Sequence, residues 1–220
     1  RMDRVIANSS FTASLLEEIG LQREQIDILV GGVEAKRFAP RPGFDRTRLR
    51  SALGIPQDAY LMTTACRLVA KKGIDFLLPA MPRIRREIPN AHLLIIGEGR
   101  HGRRYQRLAT QLGLLDCVTF AGRVDHQRIH EYYWTSDVFV LASRVQLDPT
   151  TGLRDAETMG RVLCEANAAA LPTVAARSGG IPSVVTHEEN GLLFRPDDLD
   201  DLLEQLQRVR QDRILRERLV

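Results

Sequence analysis

Short apolar runs alternate with longer amphipathic ones along this chain. The runs at 4–7, 26–30, 60–65, 92–96, 118–120, 138–141, 173–176 and 192–194 mostly lack a polar–apolar alternation. Strands of that kind are expected to be covered on both faces. Between them fall helical patterns at 11–19, 46–53, 75–87, 102–112, 127–134, 160–169, 181–186 and 199–210. Ser10 is placed to cap the first helix, and Asp197 and Asp198 supply acids at the start of the last. Regular strand–helix alternation predicts an α/β fold, a Rossmann-like doubly wound parallel sheet. Such sheets bind ligands at the carboxyl ends of their strands.

Two glutamates give this pattern chemical content. Glu157 falls in the loop before the helix at 160–169, and Glu165 lies inside it. At about 1.5 Å rise per residue the two carboxylates are spread along the helix axis. The unpaired amides of Gly160, Arg161 and Val162 lie between them, and a helix mouth attracts an anion such as phosphate. A ligand with hydroxyls at both ends and a diphosphate between them fits this layout, and a nucleotide-sugar is such a ligand.

Other segments have a chemical and a plain reading. Arg67 and Lys72 follow the strand at 60–65 and can neutralise a departing diphosphate; on spacing alone they are also ordinary loop charges. Lys71 reads as solvated. Gly122, at the end of the strand at 118–120, lets a planar group approach the backbone near Arg123 and Val124, or makes a simple turn. Gly97-Glu98-Gly99 looks like half of a dinucleotide fingerprint, but Gly102 comes too late for the full spacing, so it reads as turn chemistry. Ser178-Gly179-Gly180 is either a sugar or phosphate approach or a tight turn. Asp198 and Asp200 complement a helix dipole and are not read as a metal pair; no His/Cys cluster has metal spacing. His126 and His187 read as surface residues, and Tyr132, Tyr133 and Trp134 as packing. Arg100, Arg103, Arg104 and Arg107 make a basic helical stretch, ordinarily a solvated face and alternatively a contact for lipid or nucleic acid.

Composition narrows the class without naming a ligand. The 220 residues, 44% hydrophobic and 27% charged, suit a globular protein of one domain, or of one domain plus part of another. A net charge of +3 permits an anionic ligand or surface without demanding one. No apolar run approaches the ~20 residues that span a bilayer. Cys66, Cys117 and Cys164 are dispersed in apolar segments, as expected of buried thiols in a reducing cytosol. The best linker candidate is 31–43, with Gly31-Gly32 and Pro40-Arg-Pro42-Gly43. Residues 1–35 then read as the last strand–helix–strand unit of a preceding domain with its linker. Residues 36–220 read as the main domain, whose body starts near residue 44 once the linker is passed. Both chain ends fall inside regular patterns, so the sequence reads as a fragment of a longer protein.

Taken in order, these pieces resemble the nucleotide-binding half of retaining GT-B glycosyltransferases, the group 1 family. The runs that carry the resemblance are Val5-Ile-Ala-Asn-Ser9, Gly32-Val33-Glu34 with Arg37-Phe38-Ala-Pro40, Arg67 through Lys72-Gly73-Ile-Asp75, and Ile96-Gly97-Glu-Gly99. Further matches are Phe120-Ala-Gly122, Ser136-Asp137-Val138, the paired glutamates, and Gly179-Gly180-Ile-Pro182 through Gly191-Leu-Leu-Phe-Arg-Pro196. The resemblance covers nearly the whole chain. It implies that Arg67 and Lys72 grip the donor diphosphate and that the backbone around Arg123 and Val124 meets the base. It further implies that Glu165 holds the ribose hydroxyls, that Glu157 contacts the transferred sugar, and that the amides of Gly160, Arg161 and Val162 meet the phosphates. Neither a metal nor another cofactor is implied, because cations and amides can carry the charge of the leaving group.

The implied partners are a nucleotide-sugar donor and a glycan, lipid or small acceptor reached through a preceding domain. A cytoplasmic site is expected, with peripheral membrane contact and no nucleic acid. A nucleotide-sugar epimerase and a non-catalytic nucleotide-binding scaffold are the alternatives. The chain departs from the family pattern at Gly31, Ala170, Ser183 and Thr158, and the long loop at 144–156 is placed to shape the donor-sugar pocket.

Overall fold

A computed structural model describes residues 4–148, 150 and 152–220. Ten strands and nine helices follow one another among these residues. The chain opens with β1 (Val5–Ala7), α1 (Ser10–Glu18) and β2 (Ile26–Ile28). The short α2 (Ala35–Phe38) and α3 (Arg46–Ala52) lead into β3 (Tyr60–Ala65). Next come α4 (Ile74–Glu87), β4 (Ala91–Ile96), α5 (Gly102–Gln111), β5 (Val118–Gly122), α6 (Ile129–Thr135) and β6 (Val138–Leu141). A small antiparallel pair, β7 (Gln146–Leu147) and β8 (Arg154–Asp155), precedes α7 (Arg161–Ala168). The chain continues with β9 (Thr173–Ala176), β10 (Leu192–Phe194), α8 (Leu199–Gln211) and α9 (Arg213–Arg218).

The main sheet has six parallel strands in the order β10-β9-β6-β3-β4-β5. Strand order reverses between β3 and β6, which is where a doubly wound sheet opens a crevice at its carboxyl edge. Successive strand residues face opposite layers. Met62, Leu93, Ile95, Val138, Val140 and Val174 join one core, with α4, α5 and α8. Leu61, Leu94, Ile96, Phe139, Leu141 and Ala175 join the other, with α6 and α7. This double coverage is why the strands read as continuous apolar runs.

The first unit stands apart from this sheet. β1 and β2 pair in parallel as their own two-stranded sheet, and Ala7, Ala13 and Ile26 form a separate small core. The unit touches the rest through Ser10 N to Ser183 Oγ at 3.3 Å and through Arg154, which binds both Ser14 and Glu18.

Four local expectations are corrected. The cap of α1 is Ser9, not Ser10: its side chain accepts from the Thr12 amide at 3.0 Å, so the helix begins one residue earlier. The helix expected at 181–186 is a single 3-10 turn, Ile181–Ser183, because Asn190 takes the Thr186 amide and the Val184 carbonyl for its own loop. The helix expected at 160–169 starts at Arg161 with Gly160 as its cap, and Glu165 lies within it. The loop at 144–156 contains the β7–β8 pair; its positions 149 and 151 lie outside the described residues.

Candidate functional site

The carboxyl ends of β3, β4 and β5 surround a cavity of about 590 Å³, a size suited to a small organic ligand. From β3 come Ala65, Cys66 and Arg67; from β4 come Ile96 through Gly99; beyond β5 come Arg123, Val124 and His126. The first two turns of α7 close it with Arg161, Val162 and Glu165, and Tyr133 also lines it. Six sequence-derived candidates therefore share one cavity: Arg67, Arg123, Val124, Arg161, Val162 and Glu165.

Local conformation explains how each arrives there. In β5 the register slips by one residue beside Ile95 and Ile96, a bulge that redirects the strand at Gly122. Gly122 has φ +67° and open space where a side chain would stand, and Arg123 and Val124, which follow it, line the cavity. Gly97 and Gly99 are packed against the backbone of Cys66 and Leu68; a Cβ at Gly97 would lie 2.0 Å from the Cys66 carbonyl oxygen. The expectation of turn chemistry at 97–99 thus holds, and the same close packing makes the turn part of the cavity wall.

The mouth of α7 has no side-chain cap. Gly160 holds φ +86°, and among the described residues the amides of Gly160, Arg161 and Val162 donate to no protein acceptor. Bare amides at a helix start are ready donors for an anion.

Glu165 is buried, only 4% exposed. The Tyr133 hydroxyl donates to its Oε2 at 3.1 Å, and the Arg161 guanidinium lies 3.7 Å from Oε1. Burial and the adjacent Glu165 carboxylate raise the Tyr133 phenol well above its ordinary pKa, so it stays a donor. Sequence reading assigned Tyr133 to packing alone. It does pack against Phe38 and Phe139. The rule that a buried tyrosine hydroxyl finds a partner signals a second role without saying which acceptor it meets.

Lys72 and Glu157 do not line the cavity. They form an ion pair with each other, their side chains only 12% and 13% exposed. Their charges still reach the cavity wall: burial raises the Cys66 thiol to about 11, Lys72 pulling it down and Glu157 pushing it up. The Glu157 backbone is fixed from behind. Gly180 N donates to Glu157 O at 2.7 Å, and Gly179 and Gly180 approach the Glu157 and Thr158 carbonyls too closely to carry a Cβ. The Ser178-Gly179-Gly180 turn is therefore a brace for this loop.

Lys71 is corrected. It is not solvated: its ammonium donates to Asp155 at 2.6 Å and to the Ala156 carbonyl at 2.8 Å, with 15% of the side chain exposed. It anchors the end of β8 just before Glu157. His126 is exposed but stands on the cavity rim, while His187 accepts from the Leu193 amide at 2.9 Å and serves structure. Asp198 caps α8 and Asp200 pairs with Arg83. Among the described residues no cluster of three or more His, Cys, Asp or Glu is placed to hold a metal ion.

Comparison with known proteins gives a consistent picture. The profile of the glycosyl transferases group 1 family matches residues 45–220. A GDP-mannose-dependent monoacylated alpha-(1-6)-phosphatidylinositol monomannoside mannosyltransferase of Corynebacterium glutamicum is 36% identical over 188 residues, 86% of this chain and 48% of that protein. The chain spans about half the length of the curated relatives it matches. In structure it superposes on Anabaena HepE, solved in complex with UDP and glucose, with a TM-score of 0.83 at 24% identity, covering 99% of this chain and 56% of that one. It also superposes on the C-terminal domain of a group 1 glycosyl transferase from Francisella tularensis, with a TM-score of 0.66 at 23% identity, covering 86% and 92%. The sheet is that of the C-terminal half of the GT-B fold, and this chain belongs to the group 1 glycosyltransferase family.

Proposed function

We propose that this chain is the donor-binding lobe of a retaining, metal-independent glycosyltransferase. The parent enzyme moves a hexose from a nucleotide-diphosphate sugar to a glycan, lipid or small acceptor in the cytoplasm. The observation that carries the reading is the meeting of Arg67, Arg161, Glu165 and the bare α7 amides in one cavity. Glu165, oriented by Tyr133, accepts from the ribose hydroxyls, and the backbone at Arg123 and Val124 meets the base. As the bond from the sugar to the diphosphate breaks, negative charge grows on the leaving oxygen. Arg67, Lys72 and the amides of Gly160, Arg161 and Val162 offset that charge without a divalent ion. Lys72 exchanges Glu157 for phosphate in this step, and Glu157 is released to the sugar hydroxyls.

Residues 1–35 are assigned to a preceding acceptor-binding lobe and 36–220 to the donor lobe, so the 220-residue chain binds donor but transfers nothing alone. GDP-mannose is the first donor to test, because the Corynebacterium relative is named as dependent on it. Titrating GDP, UDP and ADP against wild type and Glu165→Ala, with and without EDTA, tests the reading. Binding of one nucleotide that needs Glu165 and survives EDTA is expected. Failure of every nucleotide to bind leaves a scaffold instead.

A further inference from the structure

Helix α5 starts three residues beyond the cavity wall and carries an unmatched stripe of charge. Gly99 lines the cavity wall and Arg100 follows it directly. Arg103, Arg104 and Arg107 share one face of α5, Arg100 stands just before its start, and all four are exposed. The opposite face buries Tyr105 and Ala109 in the core beside α4. From Gly99 to Leu115 the sequence holds no Asp or Glu. On neighbouring α4, Arg83 and Arg85 are matched by Asp200 and Asp116. Among the described residues, none of these four arginines has an ion pair or a side-chain hydrogen bond.

We propose that this stripe docks the protein on an anionic lipid surface, with the cavity mouth beside it. Arginines spaced over about 6 Å of helix, with a fourth just before it, match a plane of negative headgroups. Leu112 and Leu115, 39% and 66% exposed just beyond the stripe, give the apolar contact that a headgroup layer accepts. Nucleic acid fits less well, because the one aromatic residue on the helix, Tyr105, is fully buried and offers no stacking face. A docked α5 holds the mouth within reach of an acceptor carried in the membrane. The surface is separate from the donor chemistry, so either can fail without the other.

Co-sedimentation with phosphatidylcholine vesicles, with and without phosphatidylglycerol, tests the proposal. The wild-type protein is expected to bind only the anionic vesicles and to release as salt rises. Arg103→Gln with Arg107→Gln is expected to bind roughly 25-fold more weakly, about fivefold per charge. The corresponding lysine pair keeps binding, and GDP affinity is unchanged in both. Binding of wild type to neutral vesicles alone, no binding to either, or an unaffected glutamine pair would overturn the proposal. So would a labelled oligonucleotide that outcompetes the vesicles.

Discussion

Lys72 and Glu157, 85 residues apart in sequence, meet as an ion pair almost withdrawn from solvent. Removing one partner leaves the other charge buried and unmatched, which costs more than the pair contributes. Lys72→Ala is expected to destabilise the fold by about 3 kcal/mol. The double variant Lys72→Met, Glu157→Gln recovers most of that loss. Urea unfolding of the single and double variants measures the coupling; simple additivity would show that the pair is not formed in solution.

Glu165 depends on Tyr133 for its orientation. Tyr133→Phe removes one hydrogen bond to a buried carboxylate, about 1.5–3 kcal/mol. Affinity for a nucleoside is expected to fall about tenfold, while affinity for pyrophosphate is unchanged. Calorimetry with guanosine and with pyrophosphate separates the two. A matching loss for pyrophosphate contradicts the ribose role.

Gly160 serves the helix mouth through its backbone. Its φ of +86° disfavours any side chain, and a Cβ would sit 3.0 Å from Leu163 Cδ1. Gly160→Ala is expected to cost about 1–3 kcal/mol of stability. It should also erase the preference for GDP over GMP, because the displaced amides are the ones assigned to the diphosphate. Paired titrations of the two nucleotides check this; an unchanged preference argues against the assignment.

His92 predicts the acid limit of the fold. It is buried on β4, its Nε2 2.9 Å from Thr119 Oγ1, and burial lowers its pKa to about 4. The folded state holds it neutral, whereas the unfolded chain takes up a proton below about 6.5. Its contribution is therefore complete above pH 6.5 and is lost as pH falls toward 4, on the order of 3 kcal/mol in all. Urea midpoints at pH 7.5 and 4.5 for wild type and His92→Gln test this; the variant should show the smaller drop.

Much of the fold was legible because the strands of the main sheet are buried on both faces. Their apolar runs need no alternation to be seen, and the bounds of β3, β6, β9 and β10 follow from sequence alone. Short-range competition was harder to read. Ser9 and Ser10 are both competent caps, and only the geometry of the Thr12 amide selects one. The β7–β8 pair has two residues in each strand, too few for a pattern. At the site, Arg67, Arg123, Arg161 and Glu165 were visible as residue types at strand ends and a helix start. The Tyr133 hydroxyl and the Lys71 anchor were not, since both depend on contacts more than 30 residues distant.

The brace behind Glu157 also ties two ends of the chain together. Gly180 is hemmed in by the Thr158 carbonyl and by the Ser9 hydroxyl, with no room for even a methyl group on that side. The opening β1–α1 unit thus presses on the same turn that sets the acid at 157. Any side chain at 180 would have to displace both the Thr158 carbonyl and the cap of α1, so a single glycine keeps the acid's loop and the opening unit in register.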